Sequence, residues 1–116
     1  MLQFYNMSRG SDDDLIYKAL ADGRRREILD LLKDDPRTTG DICDHFTDID
    51  RCTVMQHLGV LEKAGLLITQ KNGRFRWNYL NAVPIREIYD RWINRYTNHS
   101  VDILVKLSND LEMPDR

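Results

Sequence analysis

Side chains whose chemistry suits contact with DNA lie in two short stretches of the chain. The first stretch carries groups that can reach base edges: Arg51, Thr53, Met55 and Gln56. The second stretch carries cations: Lys71, Arg74 and Arg76. A glutamine amide can pair bidentately with adenine, and an arginine with guanine or a phosphate. Exposed lysine and arginine contact phosphates whatever the base sequence. These residue types predict a surface that binds double-stranded DNA.

The charge distribution supports this interpretation. The net charge is −2, but residues 1–50 hold seven Lys or Arg against twelve Asp or Glu. Residues 51–86 hold six Lys or Arg against Glu62 alone, and residues 87–116 hold four against six acidic residues. A basic block inside an acidic chain is typical of a phosphate-facing surface. Chance clustering in so short a chain is the alternative.

Length and composition exclude several classes of protein. The 116 residues suit one domain, which we place at 11–111 after a flexible tail at 1–10. No apolar run approaches the ~18–20 residues of a membrane span, and the N-terminus lacks a signal-peptide pattern. Two cysteines are too few for a secreted disulfide scaffold, which favours a reduced, cytoplasmic setting. Without a phosphate-binding loop, nucleophile elbow or metalloprotease motif, we predict neither an enzyme nor a cofactor.

Helical periodicity predicts the elements that position the first stretch. We expect helices near 12–21 and 24–33, the second closed before Pro36. Thr38 or Thr39 can cap a short third helix. Asp50 can cap a fourth helix that Gly65 ends. Its core-facing stripe is Val54, Leu58 and Leu61. Two helices joined by a short turn indicate a helix-turn-helix motif, whose second helix reaches base edges with its N-terminal residues.

A β-hairpin is predicted to carry the second stretch. Asn72-Gly73 lies between strand-like runs at 66–70 and 74–80, and Asn-Gly in that setting is the strongest short-range hairpin signal. Helix-turn-helix followed by hairpin is the winged form of the motif. We assign the alternating Phe75, Trp77 and Tyr79 to the core, in preference to a platform that stacks on bases.

The C-terminal part predicts one long helix. Pro84 suits its first turn, and the apolar spacing extends it over roughly 25 residues, about 40 Å. Its apolar residues exceed what one small domain can bury. We therefore expect a partner to cover this helix.

Three separated motifs resemble the arsenic-repressor (ArsR/SmtB) family. Residues 53–67, Thr-Val-Met-Gln-His-Leu-Gly-Val-Leu-Glu-Lys-Ala-Gly-Leu-Leu, are similar to its recognition-helix signature. Residues 19–29 are similar to its opening motif, and Asn72-Gly73-Arg74 matches its wing. The resemblance covers approximately residues 15–110. It implies a mainly α, winged helix-turn-helix fold with a small β-hairpin, dimeric through the first and last helices. It also implies a sequence-specific repressor that binds a palindromic operator.

The resemblance assigns further residues. The implied homodimer interface comprises Leu15, Tyr89, Trp92, Ile93, Tyr96, Ile103, Leu104 and Leu107. Met55 stands where the family has serine, so an apolar contact, for example with a thymine methyl, replaces a hydrogen bond. We include His57 in the DNA-binding set, where it either contacts a phosphate or packs on the neighbouring helix.

Neither of the family's metal sites is complete in this sequence. Cys43 has no second cysteine on the third helix, although Cys52 and His45 leave an improvised metal site or redox pair as an alternative. His99 and Asp102 lack the upstream Asp-x-His pair. The final helix, with Trp92, looks closer to the metal-independent branch. We predict no metal and see no evident effector. The alternatives are a protein-interaction module and a thiol- or metal-responsive variant of the regulator.

Overall fold

The computed structural model describes the backbone of residues 9–97 and 99–111 and the side chains of residues 13–97 and 101–111. The chain divides into two units, Met1–Pro84 and Ile85–Arg116. Within the described range the elements are α1 (Arg9–Leu20), α2 (Gly23–Leu32), β1 (Arg37–Thr38), α3 (Thr39–His45), α4 (Arg51–Lys63), β2 (Leu67–Asn72), β3 (Phe75–Leu80), α5 (Val83–Arg91), a 3₁₀ helix (Ile93–Tyr96) and α6 (His99–Asp110).

The N-terminal boundary differs from the expected one. Helix α1 begins at Arg9, three residues earlier than predicted, so Arg9 and Gly10 of the proposed tail are helical. Residues 1–8 lie outside the described residues, and the tail there stays a prediction.

Capping residues begin and end the helices of the first unit at the positions that the sequence predicts. Asp50 caps α4, since its carboxylate accepts a hydrogen bond of 2.8 Å from the backbone N–H of Thr53. Gly65 follows α4 with a φ of +80°, a left-handed conformation that favours glycine. Thr38 caps α3 through the N–H of Asp41, which settles the choice between two threonines. The predicted stripe of α4 is buried, in a core formed by Ile16, Ala19, Ile28, Leu29, Leu32, Ile42, Phe46, Val54, Leu58, Leu61, Leu66 and Leu67.

The sheet has three antiparallel strands in the order β1-β3-β2. Strands β2 and β3 form the predicted hairpin, with Asn72 opposite Phe75 and Gly73 at a φ of +65° in the turn. Strand β1 was not predicted. Its two residues pair with β3, where Arg37 lies opposite Asn78 and Thr38 opposite Trp77.

The assignment of the β3 aromatic residues to the core is wrong. Phe75 is 49% exposed and Tyr79 is 37% exposed, while Trp77 is half-buried. Strand β3 lies at the centre of the sheet and packs against α2 and α3, and its buried residue is Asn78. The amide of Asn78 donates to the carbonyl of Arg37 at 3.2 Å and to the hydroxyl of Thr39 at 3.1 Å. These bonds satisfy a polar group that would otherwise be costly to bury.

The prediction of one continuous C-terminal helix is also wrong. Helix α5 ends at Arg91, and Trp92 has non-helical dihedral angles of φ −136° and ψ −54°. A 3₁₀ helix follows, after which the Thr97 hydroxyl donates to the carbonyl of Asn94 at 3.2 Å. Such local side-chain bonds compete with the α-helical hydrogen-bond pattern. Among the described residues, no helix is long and apolar enough to span a membrane.

Candidate DNA interface

Helix α4 presents the predicted base-reaching residues on its open side. Because Val54, Leu58 and Leu61 face the core, Arg51, Met55 and Gln56 are exposed. Met55 has 42% of its surface accessible. Three of the four residues of the first stretch therefore share the solvent-facing side of the helix's N-terminal half.

Thr53 has a different environment. It is half-buried, and both its backbone N–H and its hydroxyl bond to the carboxylate of Asp50. These two bonds lower the pKa of Asp50 below its usual value, the backbone bond being the larger cause. Thr53 thus completes the cap of α4, and its assignment to DNA contact stays a prediction.

His57 contacts a neighbouring helix, one of the two roles considered for it. The ring is half-buried, and its Nδ1 lies 3.1 Å from Nη1 of Arg25 on α2. Arg25 also donates to the carbonyls of Lys18 and Ala19 at the end of α1, at 3.0 and 2.9 Å. Sequence periodicity gave no signal for this contact, since 32 residues separate Arg25 from His57.

A groove of about 340 Å³ adjoins the exposed side of α4. Its lining joins α1 to α4 and consists of Leu15, Lys18, Gln56, Gly59, Val60 and Lys63. Leu15 and Gln56, predicted for two different surfaces, therefore line one groove. A Cβ added to Gly59 would meet nothing within 4 Å, so the groove stays open there. Lys18 was missed as a neighbour of this surface because it lies on a different helix, α1. Lys63 lies on α4 seven residues after Gln56, so helical spacing could have found it.

The hairpin tip concentrates positive charge. Lys71 and Arg76 lie directly opposite each other on β2 and β3, and both are exposed. Arg74 lies in the turn with its guanidinium carbon 5.2 Å from the centre of the Phe75 ring, a cation–π contact. Within the part of the chain that the structure describes, none of these three cations forms an ion pair.

One ion pair and one histidine–carboxylate contact connect α2 to the segment around the helix-turn-helix turn. Arg24 pairs with Asp48, and His45 lies 2.6 Å from Glu27. These residues line an open cleft of about 560 Å³. The His45 ring, considered above for an improvised metal site, therefore contacts the Glu27 carboxylate.

The two cysteines are not disulfide-bonded. Cys43 is half-buried and Cys52 is exposed. Burial raises the pKa of the Cys43 thiol, which disfavours the thiolate form that binds metals. Among the described residues, no three His, Cys, Asp or Glu side chains are grouped so that they could hold a metal ion. The side chain of His99 lies outside the described residues.

In the second unit, most residues of the predicted dimer interface are exposed. Ile93 is half-buried, and the exposed members are Tyr89, Trp92, Tyr96, Ile103, Leu104 and Leu107. The Trp92 and Tyr96 rings pack edge to face with centroids 5.4 Å apart. Leu104 and Leu107 lie at helical spacing on α6, and Leu111 directly follows the helix. This unit therefore exposes several large apolar side chains, and contiguous exposed apolar patches mark interaction surfaces.

A capped helix with an exposed polar side, joined by a short turn to a preceding helix and followed by a basic hairpin, defines a winged helix-turn-helix domain. Residues 20–70 match the model of a helix-turn-helix domain family. The transcriptional repressor SdpR of Bacillus subtilis is 34% identical over 83 residues, which cover 72% of this chain and 90% of the repressor. An arsenical resistance operon repressor of Staphylococcus aureus is 34% identical over 73 residues, covering 63% of this chain and 69% of that protein.

Solved structures agree with this classification. A crystal structure of an ArsR family transcriptional regulator superimposes with a TM-score of 0.69 at 28% identity, covering 76% of this chain and 89% of that one. A homodimeric winged helix-turn-helix DNA-binding domain from Mycobacterium bovis gives a TM-score of 0.58 at 25% identity, with coverages of 77% and 88%. The chain belongs to the arsenic-repressor (ArsR/SmtB) family, and it is a DNA-binding transcriptional regulator of the winged helix-turn-helix type.

Proposed function

We propose that this regulator is a repressor that binds a palindromic operator as a homodimer. In each protomer, the N-terminal half of α4 enters the major groove, where Arg51, Met55 and Gln56 read base edges. The hairpin follows the adjacent sugar-phosphate backbone. The protein acts by occupying DNA, without catalysing a reaction, in the cytoplasm where bacterial chromosomal DNA lies.

The charge at the hairpin tip is the observation that carries this proposal. Like charges directly opposite each other on neighbouring strands destabilise a sheet, and Lys71 and Arg76 are placed in that way. No acidic side chain of the described residues neutralises them. A phosphate between the two strands would convert this repulsion into two favourable contacts. The polyanion that suits the tip is therefore nucleic acid.

The proposed homodimer rests on the exposed apolar side chains of the second unit. Ile103, Leu104 and Leu107 of α6 are each at least half exposed in the single chain. The similar Mycobacterium bovis domain is described as homodimeric. A two-fold symmetric dimer presents two copies of α4, which explains why the proposed operator is palindromic.

Selection of genomic DNA fragments by the purified protein tests the proposal. We expect a palindromic consensus whose half-sites lie one helical turn, about 10 base pairs, apart. Binding should weaken steeply with salt, because each phosphate contact releases counterions.

A matched pair of charge reversals sharpens this test. Arg76→Glu should abolish binding, whereas Arg86→Glu should preserve it, since Arg86 is exposed but already pairs with Asp90 at 3.1 Å. A protein that enriches no DNA at low salt would instead be an interaction module. Equal DNA binding after both reversals would show that the hairpin tip does not contact DNA.

A further inference from the structure

One arginine connects three helices of the first unit. The Arg25 side chain, only 14% exposed, lies where the end of α1, the start of α2 and the middle of α4 meet. It donates to two carbonyls of α1, lies 3.9 Å from the carboxylate of Asp22, and reaches His57 on α4 at 3.1 Å. His57 directly follows Gln56, so this contact holds the helix next to a base-reaching residue.

The contact with His57 constrains the protonation state of the ring. A guanidinium has only donors, so Nδ1 of His57 must accept the hydrogen bond and carries no proton. The proton of the neutral ring is then on Nε2. If the ring gains a second proton, Nδ1 becomes a donor, the bond is lost, and two cations face each other across 3.1 Å.

We propose that Arg25 and the neutral form of His57 make a proton-sensitive joint that sets the position of α4 for base recognition. The proposal rests on the DNA-binding function proposed above. Both are positioning residues: they act through the helix that carries Gln56 and do not themselves read bases. Protonation of His57 releases the joint, so that discrimination between DNA sequences falls while general attraction to phosphates persists.

Other titratable groups surround α4, and the test must separate their effects. Asp22 faces the joint from the start of α2, and its carboxylate favours a positive His57. Helix α4 also packs against α1, α3 and β2. The ionisable side chains described on these elements are Asp13, Asp14, Tyr17 and Lys18 on α1, Asp41, Cys43, Asp44 and His45 on α3, and Lys71 on β2. Besides Arg25, α2 carries Arg24, Arg26, Glu27 and Asp30. A His57 variant leaves all of these in place, so a pH effect that it abolishes belongs to His57.

The experiment measures the affinity of the protein for two duplexes of equal length: the best fragment from the genomic selection and a scrambled version of it. The measurements run from about pH 8 to about pH 5.5, the range in which histidine titrates. For the wild type, the affinity ratio between the duplexes should fall about tenfold, which corresponds to about 1.4 kcal/mol. His57→Asn keeps an acceptor at the position of Nδ1 but cannot gain the proton. For the His57→Asn variant, the affinity ratio between the two duplexes should stay constant within about twofold over this pH range. His57→Leu, which has no acceptor, should show the reduced ratio at every pH.

The control is His45→Asn, because His45 pairs with Glu27 on the neighbouring helix and should leave the wild-type pH profile intact. Thermal melting separates loss of the fold from loss of the joint. A ratio that stays constant in the wild type, or that still falls in His57→Asn, overturns the proposal. So does an equal change on both duplexes, which would make His57 a direct phosphate contact.

A measurement without DNA separates this proposal from the proposed function. Nitrogen NMR of the wild-type imidazole should place the neutral-state proton of His57 on Nε2. Backbone amide shifts along α4 should move with pH in the wild type and remain fixed in His57→Asn. If these signals appear but no DNA is bound, the proposed function fails while the joint stands. If a selected fragment binds but these signals are absent, the joint alone fails.

Discussion

In the proposed complex with DNA, single side chains make two kinds of contact. Gln56 lies on the exposed side of α4, where an amide can bond a base edge. Arg76 lies exposed on the hairpin, where we propose that its guanidinium contacts phosphates of any sequence. Both side chains are exposed, so either can be shortened with little effect on folding. The two residues therefore suit a direct comparison of specificity with affinity.

We expect Gln56→Ala to relax the selected consensus at particular base pairs, at a cost of about 1–3 kcal/mol on the preferred sequence. Arg76→Ala should instead weaken binding to all sequences alike and reduce the salt dependence by about one unit of slope. Titrations of selected and scrambled duplexes at several salt concentrations measure both effects. An unchanged consensus in the Gln56 variant would mean that another part of α4 faces the bases.

The acidic cap of α2 predicts a dependence of stability on pH. The backbone N–H of Arg24, 2.8 Å from the Asp22 carboxylate, is the largest cause that lowers the pKa of Asp22. A lowered pKa in the folded state means that the charged cap stabilises the protein above the unfolded pKa. That contribution is lost as the pH falls through the folded value.

Unfolding midpoints in urea should therefore drop below about pH 4 in the wild type and drop less in Asp22→Asn, which can still cap the helix. Asp22→Ala should lose about 1 kcal/mol at neutral pH. An equally steep acid decline in wild type and Asp22→Asn would show that other carboxylates govern it.

At the scale of elements, Asn78 connects the wing to the helix-turn-helix. Its buried amide bonds a carbonyl of β1 and the first residue of α3. We expect Asn78→Leu to cost about 1–3 kcal/mol, since it leaves buried polar groups without a partner. Gln70→Leu, at an exposed position of β2, is the control. If urea midpoints show equal stability for both variants, Asn78 does not hold the wing in place.

At the scale of the whole molecule, the apolar surface of the second unit predicts self-association. Light scattering at micromolar concentration should give about twice the chain mass of 13.7 kDa. Trp92→Asp places a charge in the proposed contact and should yield monomers. Trp92 is 49% exposed in the single chain, so each protomer should stay folded. Asn94→Asp adds the same charge at an exposed position nearby and should leave the dimer intact. A monomeric wild type would refute the proposed assembly.

The incomplete ligand sets predict that folding and DNA binding need no metal. Protein in excess chelator should have the same DNA affinity and melting temperature as protein given zinc. A zinc site that stabilised the folded state would raise the melting temperature by mass action. A gain of several degrees that Cys43→Ser or His99→Ala removes would identify the protein as a metal sensor.

The sequence by itself determined the features that depend on neighbouring residues. Asp50 and Gly65 bounded α4, and Asn72-Gly73 marked the hairpin, because caps and tight turns are set by local backbone geometry. The stripe of α4 followed from helical periodicity, and with it the exposed side that carries Gln56. The fold class and the family could be predicted from the sequence for the same reason, because each of the three family motifs is a contiguous stretch of residues.

Only the tertiary structure decided the features that join distant residues. Strand β1 exists because Arg37 and Thr38 pair with a strand about 40 residues later, on which Asn78 is buried and Phe75 is exposed. The bond between Arg25 and His57 likewise depends on how two helices pack. Periodicity specifies which face of an element is apolar, but the partner of each polar group is fixed only when the elements come together.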